Sequence, residues 1–234
     1  NTAVAESLAQ FYRELEGTKP EDMESAVHEL IKRAIRKHKK IIFNGNGYSD
    51  EWVKEAEGRG LYNLVSTPDC LPQFIAEKNV ELFTKHHIFT KDEIFSRYEI
   101  LLENYAKTVL IEARTMAEML TKDFLPALSA YAGETARNAA SKKAFLPALS
   151  VDSEEILVKK LTAAYETATA GIAQLTGLIS DAENIEDMQK AAEFCHSAIL
   201  TKMEELRLAA NEAEALIPDS ILPYPTYDKL LFSL

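Results

Sequence analysis

Several residue types and patterns are scarce in this sequence, and each scarcity excludes something. Cysteine occurs only at Cys70 and Cys195, too sparsely for a disulfide framework, so two free thiols in a reducing, cytoplasmic compartment are expected. Glycine and proline number eight each in 234 residues, which argues against a many-turned β architecture. No apolar run approaches the roughly 20 residues needed to cross a bilayer. The polar opening NTAVAES also lacks the core of a signal peptide, so no membrane partner is expected. Basic residues are in the minority, 26 Lys and Arg against 37 Asp and Glu, for a formal charge of −11. That balance excludes a nucleic-acid surface, which needs clustered cations. The one basic run, Lys32 to Lys40, reads as the end of a helix, where cations complement the macrodipole.

What is present is helix. Hydrophobic residues make up 47% of the chain, enough for a core, and most recur at steps of three and four. Val4, Leu8, Phe11 and Leu15 form the first such stripe. The chain opens in helix without an initiator Met and is expected to begin mid-protein, its first apolar face packing on something upstream. A second helix from about Pro20 to Lys37 would bury Met23, Val27, Leu30, Ile31 and Ala34. Ile41 to Phe43 reads as a short strand entering a glycine turn, with a helix from Asp50 to about Glu57 beyond it. Thr67-Pro68-Asp69 starts another helix, and Thr90 to Glu93 opens the longest one with a capping-box pattern. That helix runs to Pro126, where a kink is expected. Asp152-Ser153-Glu154 is expected to cap a helix over Ile156 to Leu178, and Asp181 to Asn184 to make the following turn. Leu157, Leu161, Ala164, Ala168, Ile172, Leu175 and Ile179 on that helix face Ile199, Met203, Leu206, Ala210, Ala213 and Ile217 on the next, in near-heptad steps. The hexapeptide FLPALS, at Phe124 to Ser129 and again at Phe145 to Ser150, reads as two similar helix-end segments. The fold class is therefore all-α: long antiparallel helices in a bundle, with one strand-turn excursion near residues 41 to 48.

The tail Leu222-Pro223-Tyr224-Pro225 is held extended by its prolines and ends in Leu230, Leu231 and Phe232. Those side chains are too apolar for a frayed end, so the tail is expected to clamp the late bundle onto residues 1 to 115 or onto an adjacent subunit.

Candidate chemical residues are few. Glu193 and His196 match the Glu-x-x-His spacing of half a di-iron site, but no second copy exists, and the pair reads as a half-exposed Glu and His beside a buried Cys195. His86 and His87 stand at a helix end without a cluster at zinc spacing. No Gly-x-Ser-x-Gly or Walker sequence occurs. The turn Asn44-Gly45-Asn46-Gly47 raises the question of a phosphate site. The helix it feeds begins Ser49-Asp50-Glu51, placing two carboxylates where a phosphate would sit. The turn is thus read as structural, with Gly and Asn supplying positive φ, Ser49 as cap and Trp52 as anchor.

The blocks IIFNGNGYSDEWVKEAEGRGL, EKNVELF, SRYEILLENYAKTVLIEA and LPYPTYDKLLF resemble the C-terminal part of a type III glutamine synthetase, the long bacterial form. The resemblance implies a parent enzyme that ligates ammonia to glutamate with ATP and Mg²⁺, at a site shared by neighbouring subunits of a ring-shaped homo-oligomer. It also implies that residues 1 to 114 end the catalytic region, that 115 to 234 form a helical extension with a docking tail, and that the upstream catalytic region is this chain's partner. The family's metal-binding glutamates, its Asn-Gly-x-Gly-x-His loop and its arginine-rich loop belong upstream, and Ser49 stands where that loop has His. No catalytic, cofactor-binding or metal residue is therefore assigned, no cofactor is expected in this chain, and the chain alone is expected to be inactive. The alternative is a stand-alone helical protein-interaction module.

Overall fold

The structure, a computed structural model, describes residues 1–232 apart from the side chains of Tyr227 and Asp228. Among these residues it is all-α, built of helices with short 3₁₀ and π turns. The chain divides into two compact units, residues 1–100 and 101–234, and the division falls within helix α6 (Lys91–Met119).

The first unit holds α1 (Thr2–Leu15), α2 (Met23–His38), α3 (Asp50–Gly58), α4 (Thr67–Phe74), α5 (Glu77–Lys85) and the start of α6. Pro20 enters α2 through a 3₁₀ turn, Pro20–Asp22. The core is thin: Leu30, Ala56, Pro68, Leu71 and Ile94 are buried. Of the face expected on α2, only Leu30 is buried, with Val27 and Ala34 half-buried and Met23 and Ile31 exposed. Its neighbours within the unit cover the middle of that face and leave its edges in water. Phe74, Phe83 and Phe89 form a tilted aromatic row at 5.5 and 5.6 Å, with the Arg97 guanidinium 4.6 Å from the Phe89 centroid. The capping box at the start of α6 forms as the sequence predicts. Thr90 N donates to Glu93 Oε2 at 2.8 Å, and Glu93 N donates back to Thr90 Oγ1 at 3.3 Å.

Ile41 to Phe43 form no strand. Lys39–Ile41 closes a 3₁₀ turn, and Ile42 is extended with φ −83 and ψ 118, but a strand needs a ladder partner and none adjoins it. The Arg59 guanidinium takes that place: its Nη1 donates to Ile42 O at 2.8 Å and to Lys40 O at 3.0 Å, satisfying the carbonyls a neighbouring strand would otherwise have used.

The second unit is the bundle: the rest of α6, then α7 (Leu125–Phe145), α8 (Asp152–Glu183), α9 (Met188–Phe194), α10 (Leu200–Glu214) and the single turn α11 (Tyr227–Leu231). Helix α8 lies between α7 and α10, and Leu161, Ala168, Leu175 and Ile179 of its predicted seam join Leu206, Ala210 and Ala213 in one core. At Gly171 the approach is so close that a Cβ would stand 2.5 Å from Leu206 Cδ2. Ahead of Pro126 the helix widens into a π turn, Leu120–Phe124, and continues as α7. Pro126 has no N–H for the carbonyl four residues back, and the wide turn relieves that contact. A second π turn, Cys195–Ile199, joins α9 to α10.

Some local expectations are corrected. The residue before α8 is Val151, and its first turn is met by Ser150, whose Oγ accepts from Asp152 N at 3.4 Å. Glu154 pairs with Lys142 on α7 instead of capping. The turn expected at Asp181 to Asn184 comes later, because α8 persists to Glu183 and Asp187 Oδ1 caps α9 by accepting from Lys190 N at 2.8 Å. In the tail, Ile221, Leu222 and Tyr224 pack on the bundle core, and Tyr224 stacks on Phe124 at 6.4 Å. Leu230, Leu231 and Phe232, the expected anchors, are exposed. Lys229, in the single turn α11, pairs with Asp219 at 3.6 Å.

Candidate functional site

The glycine turn is built from the residues singled out in the sequence, though not with the expected backbone. Among the described residues positive φ occurs at Gly17, Gly60 and His87, and at none of Asn44, Gly45, Asn46 or Gly47. Gly45 is required for space: a Cβ there would meet the Phe43 ring at 2.6 Å, and that ring is stacked on Trp52 at 4.2 Å. Asn46 holds the bend by accepting from Tyr48 N at 3.1 Å. Ser49 caps α3 as predicted, accepting from Trp52 N at 3.4 Å. The Glu51 carboxyl is held below its ordinary range by its own backbone N–H and by the Ser49 hydroxyl. It is therefore an anion seated on the helix N-terminus, and it repels any phosphate brought there. Arg59 closes the group, 5.4 Å from the Trp52 centroid and paired with Glu55. The arrangement holds a loop in place and leaves Tyr48 fully exposed at its tip.

Glu193 and His196 turn to different partners. Glu193 accepts from Gln189 Nε2 at 2.7 Å, while His196 Nδ1 lies 3.2 Å from the Tyr105 hydroxyl. The π turn that starts at Cys195 breaks the helical spacing the motif relies on. Cys195 is buried, which pushes its thiol up from the ordinary range, whereas Cys70 is exposed. Among the described residues no three His, Cys, Asp or Glu side chains gather where they could hold a metal ion. Nor is any described helix long and apolar enough to cross a membrane.

His86 and His87 separate. His87 is the left-handed residue, φ 52, of a helix-ending motif in which Ile88 N donates to Phe83 O at 3.0 Å and His87 N to Thr84 O at 3.1 Å. His86 turns to α1, toward a partner that no local pattern announces. Glu6 Oε2 lies 2.6 Å from His86 Nε2, and Glu6 Oε1 accepts from Lys85 Nζ at 2.7 Å and Gln10 Nε2 at 2.8 Å. The hydrogen bond from Lys85, followed by those of Gln10 and His86, lowers the Glu6 carboxyl from 4.5 to about 2. A carboxylate whose partners lie about 80 residues away along the chain leaves no local pattern to read. Lys85 and His86, at the end of α5, make the Glu6 carboxylate a clasp between α1 and α5.

Over 99% of its length the chain is 41% identical to a glutamine synthetase of Butyrivibrio fibrisolvens, of which it covers 33%. It is 32% identical, again over 99% of its length, to a type-3 glutamine synthetase of Dictyostelium discoideum, covering 32% of that protein. With a glutamine synthetase of Bacteroides fragilis (strain YCH46) it shares 26% identity over its whole length and 33% of the relative's. The chain thus spans about a third of the length of the curated relatives it matches. The model of the glutamine synthetase C-terminal domain aligns with residues 26–143, from α2 through the glycine turn and the capping box to the end of α7. That match takes in half of the sequence, and by it the chain belongs to the glutamine synthetase C-terminal domain family.

Proposed function

We propose that the chain is the C-terminal structural and assembly module of a type III glutamine synthetase, a cytoplasmic homo-oligomer that ligates ammonia to glutamate with ATP and Mg²⁺. The observation that carries this reading is the alignment: it spans 99% of the chain at 41% identity to a glutamine synthetase, yet covers a third of that protein. The clusters found here support it, since Glu6, His86, His196 and Arg59 are engaged in helix clasping, side-chain pairing and loop closure. In this reading residues 1 to 114 end the catalytic region and 115 to 234 form the extension peculiar to type III, with the exposed Leu230, Leu231 and Phe232 meeting a neighbouring subunit. The catalytic constellation is left to the upstream region, and this chain contributes packing.

The test is an assay of the purified chain with glutamate, ATP, Mg²⁺ and either ammonia or hydroxylamine. No glutamine or γ-glutamyl hydroxamate should form above a no-protein blank. Turnover that survives repurification refutes the reading. A parent reading frame without an upstream catalytic region would instead favour a stand-alone interaction module.

A further inference from the structure

Helix α1 is built the wrong way round for a helix of this unit. At about 100° per residue, Val4, Leu8, Phe11 and Leu15 fall in one sector roughly 60° wide, and Glu6 lies about 180° from its centre. Ordinarily the apolar sector turns inward. Over most of the helix the opposite side faces the protein: Glu6 and Ala9 are half-buried, while Val4, Leu8, Phe11 and the adjoining Tyr12 are exposed, Leu8 to 61%; at the C-terminal end of the sector Leu15 is half-buried. The polar contacts fix this orientation. Glu6 is held by Lys85 and His86 of α5, and Glu14 pairs with Arg33 of α2. Rolling α1 to bury Leu8 would strip the Glu6 carboxylate of its two partners on α5, Lys85 and His86. Ile31 and Ile35 of α2, and Ile41 and Ile42 after it, are exposed as well, in a unit with few buried side chains of its own.

We infer that the outward stripe of α1, Val4, Leu8, Phe11 and Tyr12, is the surface on which the remainder of the parent polypeptide docks. Glu6, Lys85 and His86 act as the clasp that presents it. The inference rests on the module reading. The occupant is argued from length: the relatives that match across 99% of this chain carry about two thirds of their own residues outside the match, and the matched model is that of a C-terminal domain. A large body of the same protein is therefore available to cover the stripe. The partner surface must be apolar and shaped for one helix face, because the stripe carries no charge.

The experiment introduces Leu8→Glu, and separately the milder Leu8→Gln, into two proteins: this chain alone and the full-length parent. In the chain alone both should leave the thermal midpoint and far-UV ellipticity unchanged, because the side chain already faces water. In the full-length protein Leu8→Glu should lower the midpoint by several degrees. Wild-type chain should bind the separately expressed upstream part in trans, and the Glu variant should bind at least tenfold more weakly. If the full-length midpoint and the trans affinity are unchanged, the inference is overturned. If the isolated chain unfolds with either variant, the stripe is already buried and the inference fails. If wild-type chain self-associates and Leu8→Glu abolishes that while leaving the full-length protein intact, the occupant is a second copy and the inference fails in its favour. None of these readouts is catalytic. Failure of the module reading would appear instead as ligase turnover by the wild-type chain, so the two failures are distinguishable.

Discussion

Alanine at Gly171 and at Gly177 should have opposite effects, although both positions lie within α8. In a helix interior Gly→Ala ordinarily adds about 0.8–1.0 kcal/mol of stability from propensity. A Cβ at Gly177 meets nothing within 4 Å, so Gly177→Ala should realise that gain. At Gly171 the same atom would stand 2.5 Å from Leu206 Cδ2 and 3.1 Å from its Cγ. Leu206 is 3% exposed in the core against α8 and cannot swing into water. Overpacking of this kind costs about 1–3 kcal/mol, which cancels or exceeds the propensity gain. Gly171→Ala should therefore be neutral or destabilising, by up to about 2 kcal/mol, and lie about 1–3 kcal/mol below Gly177→Ala. Urea titration of the chain, followed by far-UV ellipticity, measures the difference. In a Leu206→Ala background, itself weakened by about 2–5 kcal/mol, the clash is gone and Gly171→Ala should turn stabilising. That change of sign is the coupling expected of two residues in contact. If Gly171→Ala raises stability as much as Gly177→Ala in the wild-type background, the close approach of α8 and α10 is wrong.

The Glu6 clasp should be visible in acid. A carboxyl lowered from 4.5 to about 2 contributes stability that is fully present above its unfolded pKa and is lost as pH falls from 4.5 toward 2. The thermal midpoint reported by Trp52 fluorescence, which belongs to residues 1–100, should fall across that window and fall less in Glu6→Gln. Equal slopes for the two proteins would show that Glu6 is not held by its partners. His87, exposed and at φ 52, should tolerate glycine with no loss or a gain of up to about 1 kcal/mol, because a non-glycine residue there bears about 1–2 kcal/mol of strain. Valine at the same position should destabilise, since a β-branched side chain is excluded from that region. A lower thermal midpoint for His87→Gly than for the wild type would refute the left-handed assignment.

Features carried by short-range pattern were legible. Thr90 with Glu93, Ser49 with the α3 amides, and the heptad seam of α8 with α10 each depend on residues within a few positions, or on a period that persists for many turns. What escaped depended on partners remote in sequence. Arg59 took the carbonyls of a would-be strand from 17 and 19 residues away. The Glu6 clasp closed across 79 and 80 residues. The α2 face was read as buried because periodicity reports which side is apolar, not whether anything covers it. The same limit applies to Leu230, Leu231 and Phe232, whose composition called for burial that Tyr224, between Pro223 and Pro225, supplied instead.

The repeated hexapeptide FLPALS shows how tertiary burial decides between conformations that local chemistry leaves open. In both copies a proline disfavours helix at the residue before it, and an interior proline costs about 3 kcal/mol. At Phe145 that cost prevails: α7 stops, and Leu146, the residue before Pro147, is extended at φ −145 and ψ 103. The side chains of this copy gain nothing from staying helical, since Phe145 is 88% exposed and Leu146 and Leu149 are also exposed. At Phe124 the outcome reverses. Leu125, the residue before Pro126, stays helical at φ −60 and ψ −43, with the widened π turn absorbing the proline's missing donor. Phe124, Leu125 and Leu128 are buried in the bundle, and at roughly 1.5–3 kcal/mol each their burial outweighs the proline. One sequence therefore continues a helix where α8 and the tail cover it and ends a helix where they do not. Removing the cover, rather than editing the hexapeptide, is the change that should convert the first copy into the second.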